Sequence, residues 1–484
     1  MSTLGQKAPT SYVSIEKQTI TGNGGTSYTL QQSVTNATEL EVFVNNIRQE
    51  PTTAYTATGT ALTMTGAVNS SDSFYVIFQG KGVATTGLPV GSTIAADVIT
   101  ATGAISTSST ITSTGNITTS GTVNTPSING GQIGGRKNII INGAMQIAQR
   151  GTSSTGLGAG VGYFTLDRYV MYNGADASAG RYTMSQSTVT DLEGFSNALK
   201  IDCTTADTSI AAGEGLLLQQ AIEGFNVQQL KATSTSTKAF TLSFYAKSNA
   251  SRAIVTEVRT SSGTNRQACK LHTIGTTWAR HTFTVSAASS MQLDNDNSSE
   301  MQINFWLHAG STYSGGTLSA TFAASNNANR AAGAGSIFSS TDNTLEITGI
   351  QLEAGSQATP FEHRSYGEEL ALCQRYYINT KDGGSSYGSV VMTRSVYANE
   401  AMGSTAFPVE MRAVPTITLY DGGGTEGALT ENGAAHNRTC AASNISRFAF
   451  NRVLSDGNGT GHFSQAAGAG YFIVGTYKAS AELT

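Results

Sequence analysis

The sequence predicts an all-β, multidomain protein, and three observations carry that prediction. Along most of the chain, short runs of alternating apolar and polar residues are separated by Gly, Asn and Asp, which is the period of a half-buried strand. Glycine is abundant and proline scarce, 54 against 7 in 484 residues, a balance that suits tight turns rather than Pro-rich disorder. Between residues 99 and 133 one large apolar side chain returns every five or six positions in a run of Ser, Thr, Gly and Ala. Charged residues are 12% of the chain, about half the roughly 25% of an average soluble protein.

Residues 1–83 read as a small β-domain. The segments "YTLQQSV", "ELEVFVNNIRQEP", "YTATGTALTMTG" and "SDSFYVIFQGKG" supply four or five short strands with one covered face. Residues 84–136 are the repetitive stretch, in which Ile99, Ile105, Ile111, Ile117, Val123, Ile128 and Ile133 mark the step. One extended copy could bury none of these side chains fully and would leave its backbone groups unpaired. Three copies wound about an axis would bring each set of isoleucines together and pair the backbones between chains. The spacing therefore predicts a thin, intertwined, homotrimeric β-shaft; the alternative is a flexible Ser/Thr/Gly linker.

Residues 137–362 hold about eleven strand-like segments, from "KNIIINGAMQIAQRG" through "AFTLSFYAKSNA" and "MQINFWLHAG" to "TLSATFAAS" and "LEITGIQLEAG". Their spacing predicts a two-sheet sandwich. A helix is expected next: Ser365 and Glu368 stand as a capping box, with Leu370, Cys373 and Tyr377 on one face. The rest of residues 363–484 returns to strand pattern in "GSVVMTRSVYAN", "PTITLYDG", "SRFAFNRVL" and "GYFIVGTYKASAEL", and is expected to form a β-sandwich head.

Two parts of the chain resemble a known family. The order "VFVNNIRQEP…Y…TGTALTMTGAV…DSFYVIFQG" is similar to the N-terminal attachment domain of bacteriophage tail fibres. "RKNIIINGAMQIAQRGTS…FTLDRY", "AFTLSFYAKSN", "GTTWARHTFTVSA" and "LEITGIQLEAGSQATPFEHRSYGEELALCQRYY" resemble tail-fibre sequences built on a jelly roll similar to carbohydrate-binding modules. The resemblance implies a virion protein of the phage tail, synthesised in the host cytoplasm. It would plug into other tail proteins through residues 1–83 and carry a receptor-binding head at residues 363–484. Its partner outside the particle would be a bacterial surface glycan or lipopolysaccharide.

The residues bear on chemistry as follows. The formal net charge is -4 with Lys and Arg scattered, which argues against nucleic acid as a partner. No apolar run approaches the roughly 18 residues that cross a membrane, so no membrane insertion is expected. "MSTLGQKAPTSYVSIEK" lacks the pattern of a secretory signal. Cys203, Cys269, Cys373 and Cys440 form no C-x-x-C pair and read as buried free thiols. "LDNDNSSE" could hold calcium through alternating oxygens but lacks the glycine and terminal glutamate of a calcium loop, so a solvated turn is expected and no metal or cofactor.

The acids Glu257, Asp294, Asp296 and Glu300 are read as loop residues, with no paired carboxylates set to cleave a sugar, and His308 as a sandwich-face residue. Adhesion without catalysis is the expected function. The alternatives are a tailspike depolymerase of host polysaccharide and a non-viral trimeric adhesin. A sugar site pairs an aromatic face with amide and hydroxyl groups, and Tyr387, Tyr397, His436, Asn437 and Phe463 in the Gly-rich C-terminal part are the candidates.

Overall fold

The computed structural model describes residues 15–79, 135–176, 178–260, 265–289, 291–381, 390–392, 394–397, 400–432, 436–455 and 472–483. The described residues are all-β with two helices. The chain divides into two compact units, Met1–Thr118 and Thr119–Thr484.

In the first unit the strands are β1 (Glu16–Ile20), β2 (Ser27–Val34), β3 (Leu40–Val44), β4 (Ile47–Gln49), β5 (Tyr55–Met64) and β6 (Phe74–Phe78). They form a four-stranded sheet in the order β1-β6-β3-β4 and a β2-β5 pair. Alternation carries Leu40, Val42, Leu62 and Val76 inward to zero exposure. Tyr55 joins them and satisfies its hydroxyl on the Leu40 carbonyl at 2.7 Å. Asn45 and Asn46 connect β3 to β4 with φ of 51° and 61°, the left-handed pair that a two-residue hairpin turn needs and that Asn tolerates.

The second unit begins with a sandwich of β7 (Ser153–Leu157), β8 (Val170–Asn173), β9 (Arg181–Thr188), β10 (Asn197–Thr205), β11 (Gly215–Glu223), β12 (Lys231–Thr233), β13 (Ser236–Thr237), β14 (Phe240–Ser248), β15 (Arg252–Thr260), β16 (Arg266–Ile274), β17 (Ala279–Val285), β18 (Ser299–Ala309), β19 (Ala323–Ala324) and β20 (Thr344–Ala354). One six-stranded sheet runs β17-β14-β20-β10-β9-β7 and the other β19-β16-β15-β18-β11-β8. The core lies between them, where Leu218 and Phe305 of one sheet meet Phe244 and Ile347 of the other. The small helix α1 (Ser311–Ser314) opens a long connection between β18 and β20.

Three strand expectations are corrected here. "KNIIINGAMQIAQRG" forms no strand, although Ile139, Ile140, Ile141, Met145 and Ile147 are buried. Side chains replace a ladder for it. Asn138 Oδ1 accepts from the amides of Ile140 and Leu352, and the Gln220 amide exchanges two bonds with the backbone of Ile141. Two backbone bonds join it to β20, Ile139 N–H to the Leu352 carbonyl and Ile350 N–H to the Gly143 carbonyl, and the approach there is close: a Cβ on Gly143 would lie 2.2 Å from the Ile350 carbonyl oxygen. "TLSATFAAS" keeps only the two-residue β19. Glu257 and Glu300 lie inside β15 and β18 rather than in loops.

Helix α2 (Tyr366–Gln374) has the capping box of Ser365 and Glu368. It ends before Tyr377, which instead starts β21 (Tyr377–Asn379); the helix buries Glu369 and Cys373, and Tyr376 and Tyr377 beyond it are buried as well. The remaining strands are β22 (Val390–Met392), β23 (Arg394–Tyr397), β24 (Glu400–Ala406), β25 (Thr416–Tyr420), β26 (Ala428–Asn432), β27 (His436–Ile445), β28 (Ala449–Ser455) and β29 (Phe472–Ser480). They make one sheet around their own core, which includes Leu429, Phe450, Ile473 and Tyr477.

The sandwich and this last sheet meet through a buried charged seam. Arg150 and Arg168 both pair with Glu482, and their guanidiniums lie 3.5 Å from the ring centres of Tyr377 and Tyr376. Arg375 takes Glu223 with two hydrogen bonds of 3.1 and 2.8 Å.

Candidate functional site

The described residues offer a cleft on the outer face of the β8-containing sheet. Strand alternation builds it: while even-numbered residues of β11 and odd-numbered residues of β18 enter the core, the intervening positions line up outside. Register places Tyr172, Leu217, Trp306, Val255 and Leu271 in one row across five strands. The next row is Gln219, Asn304, Glu257 and Cys269, and the next Ala221, Gln302, Arg259 and Gln267.

Two elements cover parts of this face. The connection after β18 lays Tyr313, Leu318, Ala331 and Ala334 over Leu217, Val255 and Trp306, which leaves the Trp306 side chain 1% exposed. At the other end Ala221 packs with Cys373, Tyr376 and Leu483 of the C-terminal part. Between the two covers stays a cleft of about 180 Å³, lined by Tyr172, Asn173, Gly174, Gln219, Arg259, Gln302 and Arg330 among others.

Glu257 organises the floor. Its carboxylate is wholly buried and accepts from Arg330 Nε and Nη2 at 2.8 and 3.0 Å. Asn304 Nδ2 and Trp306 Nε1 donate to the same carboxylate, both at 2.9 Å. The Arg330 guanidinium lies 4.8 Å from the Trp306 ring centre, so the pair is closed by a cation–π contact as well. Asn304 Oδ1 is buried without a partner. Burial, then the charge of Arg330, lowers the pKa of Arg259 from its ordinary value. Further along, His308 hydrogen-bonds Glu214 at 3.0 Å and Ser336 at 2.8 Å.

The sequence-predicted sugar candidates lie outside what the structure describes, in whole or in their side chains. Tyr387 and Phe463 lie outside the described residues; Tyr397, His436 and Asn437 lie in strands β23 and β27, but their side chains lie outside what is described. The shaft positions Ile99, Ile105, Ile111, Ile117, Val123, Ile128 and Ile133 lie outside it too. Sequence reasoning missed Gln219, Arg259 and Gln302, and weighed Glu257 only as a loop acid. A signal was present in "MQINFWLHA", where apolar Met301, Ile303, Phe305 and Leu307 alternate with Gln302, Asn304, Trp306 and His308, three of them polar.

All four cysteines are buried. Among the described residues no group of three or more His, Cys, Asp or Glu is placed to hold a metal, and no helix is long and apolar enough to cross a membrane. In the "LDNDNSSE" turn, Asp294 Oδ1 accepts from Gln292 and Asp296 Oδ1 from the Ser298 amide.

No family model and no curated protein matches the chain. Solved structures similar to it include an enzymatically active domain of tailspike protein 4 of bacteriophage CBA120, at 11% identity over 45% of this chain, with a TM-score of 0.23. This chain spans 21% of that tailspike chain. The family 11 carbohydrate-binding module of a Clostridium thermocellum cellulosomal cellulase is matched at 13% identity over 44% of this chain and 98% of the module, TM-score 0.22. The N-terminal cellulose-binding domain of a Cellulomonas fimi β-1,4-glucanase is matched at 16% identity over 39% of this chain and 90% of that one, TM-score 0.21.

Proposed function

We propose that this protein binds glycans through the outer-face cleft of its sandwich, as a non-catalytic adhesion protein. The observation that carries the reading is the cleft itself. Tyr172 lines it, and the side-chain amides of Gln219 and Gln302 stand in the cleft without a partner among the described residues, donors and acceptors of the kind that sugar hydroxyls take. Glu257 supports binding over turnover, because its two oxygens are engaged by Arg330, Asn304 and Trp306.

The setting we propose is a bacteriophage tail fibre, on the resemblance of segments within residues 42–80 and 136–377 to that family. Residues 1–83 would attach it to the tail, residues 84–136 would form the trimeric shaft, and the ligand would be a bacterial surface glycan or lipopolysaccharide. Three copies would multiply a weak contact by effective concentration.

An array of bacterial surface glycans, probed with the full chain and with a Q219A/Q302A variant, tests the reading. Binding to at least one glycan is expected, with about a tenfold or greater loss in the variant from two missing hydrogen-bonding side chains. Glycan binding that the double variant leaves unchanged would move the site elsewhere, and shortening of the bound glycan would overturn the non-catalytic reading.

A further inference from the structure

We infer that the cleft takes a sugar residue bearing an anionic group, a uronate carboxylate or a sugar phosphate, held by the guanidinium of Arg259. The inference rests on the glycan-binding reading above and narrows its ligand class.

Two guanidiniums, Arg259 and Arg330, line the one cleft. Glu257 neutralises Arg330 through the two-pronged contact already described. Nothing among the described residues does the same for Arg259, which makes no hydrogen bond or ion pair there, although it is partly buried. Its cross-strand neighbours on the outer face are Gln302 and Gln267, both neutral. Gln267 is already committed: its Nε2 donates to the Asn326 carbonyl, and its Oε1 accepts from Ser325 and the Asn326 amide.

Charged side chains taken out of water are ordinarily paired. Elsewhere in this unit Arg168, Arg364, Arg375 and Arg412 each meet carboxylate or carbonyl oxygens. Arg259 therefore carries one unneutralised positive charge at the wall of a cleft that is otherwise polar and neutral. Burial and the Arg330 charge disfavour its protonated form, with Glu257 opposing them only in part, and the charge of an incoming anion would offset that cost. The guanidinium presents a planar fork that matches two oxygens of a carboxylate or phosphate. Gln302, one strand away, is placed to take a hydroxyl of the same ring, and Tyr172 lines the cleft beside it. At about 180 Å³ the cleft has room for a sugar ring and its substituent rather than for a polymer's cross-section.

Ligand-observed NMR titration of the full chain with D-glucose, D-glucuronate and D-glucose 6-phosphate tests this. At least one of the two anions is expected to bind about tenfold or more tightly than glucose, as a charge-assisted pair should, and to weaken as salt is raised. Which anion binds distinguishes a carboxylate ligand from a phosphate ligand. R259Q should erase the advantage, bringing the affinity for both anions down to that of the same variant for glucose. R259K, which keeps the charge and loses the fork, should retain part of it and guards against a folding defect in the first variant. Equal affinity for glucose and both anions, or a preference that R259Q leaves intact, would overturn the inference while glycan binding stands. Failure of all three sugars, with every array glycan also negative, would overturn the glycan reading along with it.

Discussion

Glu257 is wholly buried in the middle of a sheet face, where a lone carboxylate would cost several kcal/mol; Arg330, Asn304 and Trp306 offset that cost together. Removing the charge leaves Arg330 buried beside a neutral amide. E257Q is expected to lower the unfolding free energy by about 3–5 kcal/mol, read by urea denaturation; a loss under about 1 kcal/mol would mean that water already screens the pair.

Two other buried groups set opposing pH dependences. His272 lies between Phe244 and His281 and hydrogen-bonds Thr256 at 2.9 Å; burial, then the charges of His281 and Lys270, takes its pKa from 6.5 to about 3. Stability from the neutral ring is thus full above about 6.5 and is lost as pH falls toward 3. Asp167 runs the other way. Burial raises it from 3.8 to about 6 despite Arg150, so its contribution is full below about 3.8 and is lost as pH rises through 6. Between pH 4 and 6.5, melting temperature should rise less with pH in H272Q than in the parent chain, and more in D167N. Parallel curves for all three would refute both assignments.

At the scale of elements, the segment 137–147 is a stretch of buried backbone with no ladder, held by side-chain amides. Asn138 alone accepts two amide bonds and donates to the Ile350 carbonyl. N138A strands those groups in a dry setting, at about 1–3 kcal/mol for each one left unsatisfied. A total loss of about 3 kcal/mol is expected in calorimetry, against about 1 kcal/mol for the exposed helix cap in S365A; similar losses in both would show that water replaces Asn138.

The same segment marks where sequence legibility stops. Strands such as β14 and β18 were readable because alternation has a fixed consequence, one face in and one out, and the capping box was readable because its partners are three residues apart. "KNIIING" reads as a strand by composition, yet most of its backbone partners are the side chains of Asn138, Gln220, Glu362 and Glu369, up to more than 200 positions away, with two main-chain bonds to β20 beside them. The cleft was hidden for a related reason. Alternation shows that Gln219, Gln302 and Arg259 share a side, but not that the connection after β18 and the C-terminal helix region cover the rest of that side. Trp306, a residue type that a search for sugar sites favours, is roofed over by Tyr313 and Ala331.

At the scale of the whole molecule, the proposed adhesion depends on copy number. A cleft of about 180 Å³ takes a single sugar ring, and ligands of that size bind weakly, so useful attachment needs several clefts engaged at once. The six-residue recurrence from Ile99 to Val123 supports three copies, because the pattern lets each isoleucine meet its symmetry mates while Ser and Thr face water. Light scattering on the purified chain, with and without residues 84–136, tests this directly. With one subunit at 50.2 kDa, the intact chain should read about 151 kDa, and the shortened chain should dissociate at lower concentration or temperature. A monomer at 50.2 kDa would make the repetitive stretch a linker, and adhesion would then have to come from a single cleft of much higher affinity. A trimer that persists without residues 84–136 would place the assembly contacts in the folded units, and the regular isoleucines would need another explanation.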